Sequence, residues 1–370
     1  MRILNSVYLV LLLVLTIFSY GFVDPNFPVS PPPFLHQLVY TYRPVATGIY
    51  VGIMTALFAL FALVVKRTMA GHIQAPEIWR LVFITTAFLF VSFPAFSYDV
   101  FNYIATARVL FTYGENPYVV MPVELSHEPM LAFMHASNKT ALYGISWIVL
   151  SSIPHAVSFG SIVAAVYAFK GFVAFFYLGL CYLIWLLSKK NPVSLVLFAL
   201  HPLVVIETLV SSHQDVVMMF FALLSFYLIK KHLPILAGFS LLISIGIKFA
   251  TVALLPVFGY VLYLSLREKK IPWETVWIGS TVAMTLMVIV SPLREEVYAW
   301  YLIWPLTFTA LLPSRTTLHY VYAASGYGLL LRFAPFILTR NWFGTTPMIK
   351  YVVTAAPLAL VSLWRLIYRK

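Results

Sequence analysis

A chain of 370 residues that is 62% apolar and only 10% charged lies far outside soluble domains, which run about 45–50% apolar and about 25% charged. Its apolar runs continue over about 15–28 residues instead of alternating with period two, which excludes a closed outer-membrane barrel and leaves an all-α polytopic integral membrane protein. The formal net charge of +12 would suit nucleic acid, but basic residues flanking apolar spans are topology signals first, so no nucleic-acid partner is expected.

In chain order, the first apolar run covers about 3–23 and is followed by Asp24 and the prolines Pro25, Pro28, Pro31, Pro32 and Pro33. Its core is longer than a signal-peptide h-region and no A-x-A site follows, so a retained helix with its N-terminus inside is expected. Further spans are expected at about 46–65, 81–97, 160–188, 193–212, 214–229, 233–247, 249–266, 273–292, 299–313, 316–336 and 347–366, about twelve in all. No connection is long enough for a separate soluble domain, so 1–370 reads as one unit. Cys181, the 1 cysteine, falls inside a span, which excludes disulfide frameworks and thiolate metal clusters and leaves a packing role.

Alternating these spans places Arg2, Lys66, Arg67, Arg80, Lys189, Lys190, Lys230, Lys231, Arg267, Lys269, Lys270, Arg315, Arg365, Arg369 and Lys370 on one side, with only Glu77, Glu268 and Glu274 as acids. That surplus accounts for the whole charge of +12. The positive-inside rule makes this side cytoplasmic, with both termini on it, and anionic lipid heads attract it. The expected location is the cytoplasmic (cell) membrane. The stretch 142–158 is apolar but short and carries Pro154 and His155; counting it as a crossing would put Lys189 and Lys190 outside, so a re-entrant segment over a cavity is expected. The segments 233–247 and 249–266 meet near Lys248, as a hairpin dipping to a polar site would.

The longest polar connection runs from Ser97 to Thr140 on the outer face, in an outer loop region 98–159 expected to carry interfacial and re-entrant segments. It opens with Asp99 at the membrane boundary; Asp99, Tyr103 and Ala107 share one helical face, while Phe101, Ile104 and Leu110 would face lipid headgroups. The helix is expected to stop at Gly114, before Asn116-Pro117. Asp99 alone reads more often as an N-cap or a dipole partner than as a catalyst. Around it Arg108, Lys170, His213, Asp215, Lys248, Arg294 and Arg332 fall in or near the outer halves of spans, where charges are costly and mark function by default. One carboxylate among several cations suits an anionic ligand beside a group to be deprotonated. Lys170 and Arg332 also read as snorkelling side chains, His213 and Asp215 as caps of a hairpin, and Arg294 as part of a solvated cluster with Glu295 and Glu296.

These residues carry a resemblance. Asp99, Tyr103, Arg108, Gly114, Asn116, Pro117 and Tyr118 resemble the D-x-x-x-Y-x-x-x-x-R…G-x-N-P-Y signature of membrane-embedded GT-C glycosyltransferases, most closely the bacterial polyprenyl-phosphate-mannose-dependent alpha-mannosyltransferases. Tyr143-Gly144-Ile145-Ser146-Trp147 is similar to Y-G-P-L-W, and His201-Pro202-Leu203 to Ser212-His213-Gln214-Asp215 is similar to N-P-L…G-H-N-D. Ile247-Lys248-Phe249 to Pro256 resembles I-K-x-x-x-x-x-L-P, and Ser291-Pro292 to Trp304 resembles S-P…W-Y-L-L-W. Ile145, Gln214 and His201 depart from the pattern.

The resemblance implies a GT-C fold and transfer of a sugar, mannose by similarity, from a polyprenyl-phosphate donor to a hydroxyl of a glycan or lipid acceptor at the outer face. Asp99 would be the general base. Lys248 first, then His213, Lys170, Arg294 and Arg332, would meet the donor phosphate. Tyr103, Arg108, Asn116, Tyr143, Trp147, Asp215 and Tyr301 would hold sugar or acceptor. No cofactor is expected; a divalent metal is not favoured, because no second aspartate follows Asp99. Most of the outer aromatics are expected to form an interfacial belt. The rival class is a transporter or flippase, in which Lys170, Glu207 and Lys248 would mark a translocation path, and a third is a non-catalytic membrane subunit.

Overall fold

A computed structural model describes residues 2–293 and 296–367, with side chains from Leu4 onward. Every regular element among them is helical. The α-helices are α1 (Arg2–Ser19), α2 (Pro33–Tyr40), α3 (Arg43–Met69), α4 (Ala75–Phe90), α5 (Asp99–Phe111), α6 (Ile145–Leu150), α7 (Ser152–Val157), α8 (Ile162–Leu187), α9 (Pro192–Ala199), α10 (Pro202–Val205), α11 (Asp215–Lys230), α12 (Pro234–Ile247), α13 (Leu255–Leu266), α14 (Trp273–Val290), α15 (Ile303–Thr309), α16 (Thr316–Leu331), α17 (Ala334–Thr339) and α18 (Thr346–Ile367).

Among the described residues seven helical stretches are long and apolar enough to cross a membrane: Leu4–Phe22, Arg43–Met69, Ile162–Leu187, Phe249–Leu266, Trp273–Leu293, Thr316–Thr339 and Thr346–Ile367. An eighth is the bent pair Pro192–Ala199 and Pro202–Val210, broken by 54°. Four further expected spans are helices too short for that count: α4 and α11 have 16 residues each, α12 has 14 and α15 has 7. At 1.5 Å per residue the first three reach about 21–24 Å, short of a hydrocarbon core of about 30 Å. α6 and α7, within the expected re-entrant stretch, have 6 residues each.

Local chemistry sets the ends. Pro44 opens α3 at a position where no N–H is needed, and Lys66 and Arg67 close it where the helix dipole favours cations. Gln74 and Glu77 cap α4 reciprocally. The α9–α10 bend falls at His201-Pro202, since proline cannot donate to the preceding turn. Beyond it, Ile206–Val210 widens into a π turn, the kind of irregularity that gathers at functional sites.

α5 departs from expectation. Instead of lying with Phe101 and Ile104 toward headgroups, it is buried nearly all round, and both residues are only 1% exposed. Phe101 meets the rings of Phe27, Phe93 and Phe133. The end of α5 follows the sequence: Gly114, at φ +73°, turns the chain while Gly114 and Glu115 N–H close onto Leu110 and Val109 carbonyls. Cys181 is buried, as expected.

Candidate active site

The residues singled out by sequence converge where α5 begins, α11 begins, α12 ends and the segment Ala299–Leu302 enters α15. Asp99 is the first residue of α5; the N-cap position belongs to Tyr98, and the Asp99 N–H is taken by Ser97 Oγ at 3.2 Å. The Asp99 carboxylate is therefore not occupied as a cap. It is 29% exposed, and its Oδ2 lies 3.5 Å from His213 Nδ1.

His213 is fully buried. Its Nε2 lies 3.1 Å from Glu207 Oε2, so the ring stands between two carboxylates, and its face stacks on Trp300 at 3.9 Å. These contacts are not aligned as linear hydrogen bonds; the attraction is that of an ion pair. Burial disfavours the imidazolium, but Asp99 and Glu207 together override it and raise its pKa from 6.5 to about 9. His213 was expected to face the donor phosphate; both its nitrogens face carboxylates instead.

The second cluster is centred on Asp215, the first residue of α11. Its side chain is 1% exposed, and its Oδ1 accepts from Lys248 Nζ at 3.0 Å and from Trp304 Nε1 at 2.7 Å. Neither Asp215 nor His213 is used as a helix cap. Lys248 is extended (φ −152°, ψ 127°), which breaks the chain between α12 and the 3-10 turn Phe249–Leu254 and swings the side chain inward. Its ammonium lies 4.4 Å above the Tyr301 ring and 5.3 Å from that of Trp304, and its side chain keeps 27% exposure.

The two clusters are joined through the turn before α11. Ser212 adopts a left-handed φ of +60°, the His213 N–H closes on the Glu207 carbonyl at 2.9 Å, and the Gln214 N–H reaches Tyr103 Oη at 3.4 Å. Tyr103 is buried against Tyr143 and Trp147. Gly144 explains how closely α6 approaches: its N–H donates to the Ile247 carbonyl at 3.2 Å, and a Cβ there would run into the Gly246 carbonyl.

Several expected ligand residues are engaged elsewhere. Arg108 Nε binds Glu128 at 2.7 Å, and Tyr113 donates to the same carboxylate oxygen, so Arg108 braces the loop. Asn116 accepts from the Tyr118 N–H in a tight turn, and Tyr118 Oη donates to the Tyr143 carbonyl. Lys170 is buried, its ammonium donating to the carbonyls of Leu209 and Val210 and to Ser92 Oγ. It thereby satisfies carbonyls at the end of the π turn. Arg332 and Lys350 both bind Glu296. Arg294 lies outside the described residues. Among the described residues no group of three His, Cys, Asp or Glu side chains has the arrangement of a metal site.

Sequence reasoning gave Glu207 only a transport role and did not single out Trp300 or Trp304 for the site. Glu207 carried a signal, an acid inside an apolar span, which requires a partner.

Seven or eight span-length helices among the described residues, every regular element of which is helical, with a charged site where four of the elements meet, define a polytopic membrane protein. Residues 7–264 match the MptA_B family, described as alpha-(1->6)-mannopyranosyltransferase, N-terminal domain, and the chain belongs to that family. Its class is therefore glycosyltransferase, in keeping with the GT-C mannosyltransferase resemblance. No curated protein and no solved structure matches the chain.

Proposed function

We propose that the protein transfers mannose from a polyprenyl-phosphate-mannose donor to a hydroxyl of a glycan or lipid acceptor, at the outer face of the cytoplasmic membrane and on a GT-C fold. The family's description favours an alpha-(1->6) linkage for this chain as well. Asp99 is the general base. A carboxylate is a weak base for an alcohol, so it takes the hydroxyl proton late, as the acceptor oxygen bonds to the anomeric carbon and the bond from that carbon to the phosphate oxygen breaks. The leaving polyprenyl phosphate gains negative charge. Lys248, held by Asp215 and the aromatic rings but still partly exposed, is the cation that meets it. The reading needs no metal ion.

The observation that carries the proposal is one partly exposed carboxylate and one partly exposed ammonium, each anchored by a buried partner of opposite charge, at the same end of the bundle. The transporter alternative loses ground because Lys170 and Glu207, its path residues, are both engaged in buried contacts. Outward orientation rests on the basic flanks at the opposite helix ends, among them Lys66, Arg67, Lys230 and Lys231.

The test uses purified protein in detergent, polyprenyl-phosphate-mannose and a panel of short glycan and lipid acceptors, comparing wild type with Asp99→Asn. Transfer by wild type and near-loss in the folded variant is expected. Equal transfer by both would remove Asp99 as the base, and transfer by neither would remove the donor.

A further inference from the structure

We infer that His213 and Glu207 form a buried positioning couple for Asp99: Glu207 holds His213, and His213 holds one oxygen of the Asp99 carboxylate so that the other is left for the acceptor hydroxyl. The inference rests on the glycosyl transfer proposed above and adds two residues that touch neither substrate.

The couple is built into the backbone. Residues 207 and 213 are tied once through the main chain, where the His213 N–H meets the Glu207 carbonyl at 2.9 Å, and again through their side chains at 3.1 Å. The π turn Ile206–Val210 and the left-handed Ser212 bring these two residues, six apart in sequence, back onto one another. Lys170 pins that turn from behind by binding the Leu209 and Val210 carbonyls. In front, Trp300 lies parallel to the imidazole at 3.9 Å, and Tyr298 backs Trp300 at 4.5 Å. The ring is thus clamped on its edge by two carboxylates and on its face by an indole.

Two flanking carboxylates favour the charged ring. A neutral imidazole has one N–H and one lone pair, and a lone pair turned toward a carboxylate is repelled; only the imidazolium presents a donor on both sides. A buried charge persists when it is compensated, and Glu207, 6% exposed, supplies that compensation from inside. The other charged or titratable groups around the couple are Tyr103 on α5, Asp215 with Lys248 beyond Gln214, Lys170 on α8, and Tyr50 on α3, whose hydroxyl donates to the Leu330 carbonyl. Lys248 is paired with Asp215, so the charges nearest His213 are the two carboxylates.

The readout is the pH profile of transfer. With the His213 pKa raised to about 9, the imidazolium is complete at neutral pH and is lost as pH rises through about 9, so wild-type kcat falls on that alkaline limb. Glu207→Gln removes one carboxylate and moves the limb down by about 1–3 pH units. It lowers kcat at neutral pH by about 10- to 100-fold, as loss of an orienting partner does, with donor KM little changed because Lys248 is untouched. Glu207→Asp, which keeps the charge, restores the limb toward wild type; should Glu207→Gln fail to fold, Glu207→Asp and His213→Gln carry the test, the latter abolishing the limb. An unmoved limb in folded Glu207→Gln, a persistent limb in His213→Gln, or an effect on donor KM alone would overturn the inference. Asp99→Asn measured alongside separates the two levels: inactive Asp99→Asn with an unmoved Glu207→Gln limb defeats only the couple, whereas active Asp99→Asn defeats the base assignment itself.

Discussion

The two charged clusters of the site are built as opposites. Around Asp99 the cation, His213, is fully buried and the carboxylate keeps 29% exposure; around Asp215 the carboxylate is buried and the cation, Lys248, keeps 27% exposure. Each uses its hidden member to hold the visible one, and aromatic rings complete both: Trp300 against His213, Tyr301 and Trp304 against Lys248. The lesson is that the sign a site presents is set by which partner is buried. One cluster offers a base, the other a cation for a phosphate. The Arg108–Glu128 pair is a third arrangement in which both members are largely buried, and it presents neither.

That contrast can be broken from either side. The largest effect is expected from Asp99→Asn, which keeps the shape and removes the base: transfer should fall about 10²–10⁴-fold, with a smaller loss of stability than for Lys248→Met because Glu207 still compensates the buried His213. Lys248→Met comes next, lowering transfer by about 10²–10³-fold. It also leaves the Asp215 carboxylate buried without its cation, a loss of about 3–5 kcal/mol in stability. The double variant Lys248→Met/Asp215→Asn should recover most of that stability and none of the activity, which thermal unfolding and transfer assays on one preparation would show.

Smaller effects sharpen the distinction between presenting and bracing pairs. Arg108→Ala should destabilise by about 1–3 kcal/mol, because Glu128 stays buried with only Tyr113 and the Met130 N–H for company. Its transfer activity should fall far less than that of Lys248→Met; an equal fall would mean that Arg108 meets substrate after all. Arg315→Ala, removing an ion pair with Glu274 in which both side chains are more than half exposed, should cost less than about 1 kcal/mol and leave transfer intact.

Much of this was legible in the sequence because single residues announced it. Acids and bases inside apolar runs are expensive, so Asp215, Lys170, Glu207 and Lys248 marked themselves. The Gly114 stop and the chain break at Lys248 were visible as a turn residue and as two apolar runs meeting at a charge. The burial of α5 was not: period-3.6 patterning shows which residues share a face, but an apolar face turned to headgroups and one packed on Phe27 and Phe133 have the same pattern. The lengths of the individual helices were hidden for a related reason, since composition does not reveal where a helix breaks, as at His201-Pro202 and the π turn, or that α12 stops after 14 residues.

The sequence by itself determined that this chain is a helical membrane protein, which helix ends carry its basic residues, and which few polar groups its apolar spans must accommodate. Those follow from transfer energies that each residue carries wherever it is placed. Only the tertiary structure decided the partners. Asp99 meets His213, and Asp215 meets Trp304, across long separations in the chain; Lys170 is engaged by carbonyls and Arg108 by a carboxylate. Whether a charge is free to meet a ligand depends on what the packing of distant helices sets beside it, and that is a property of contacts rather than of composition.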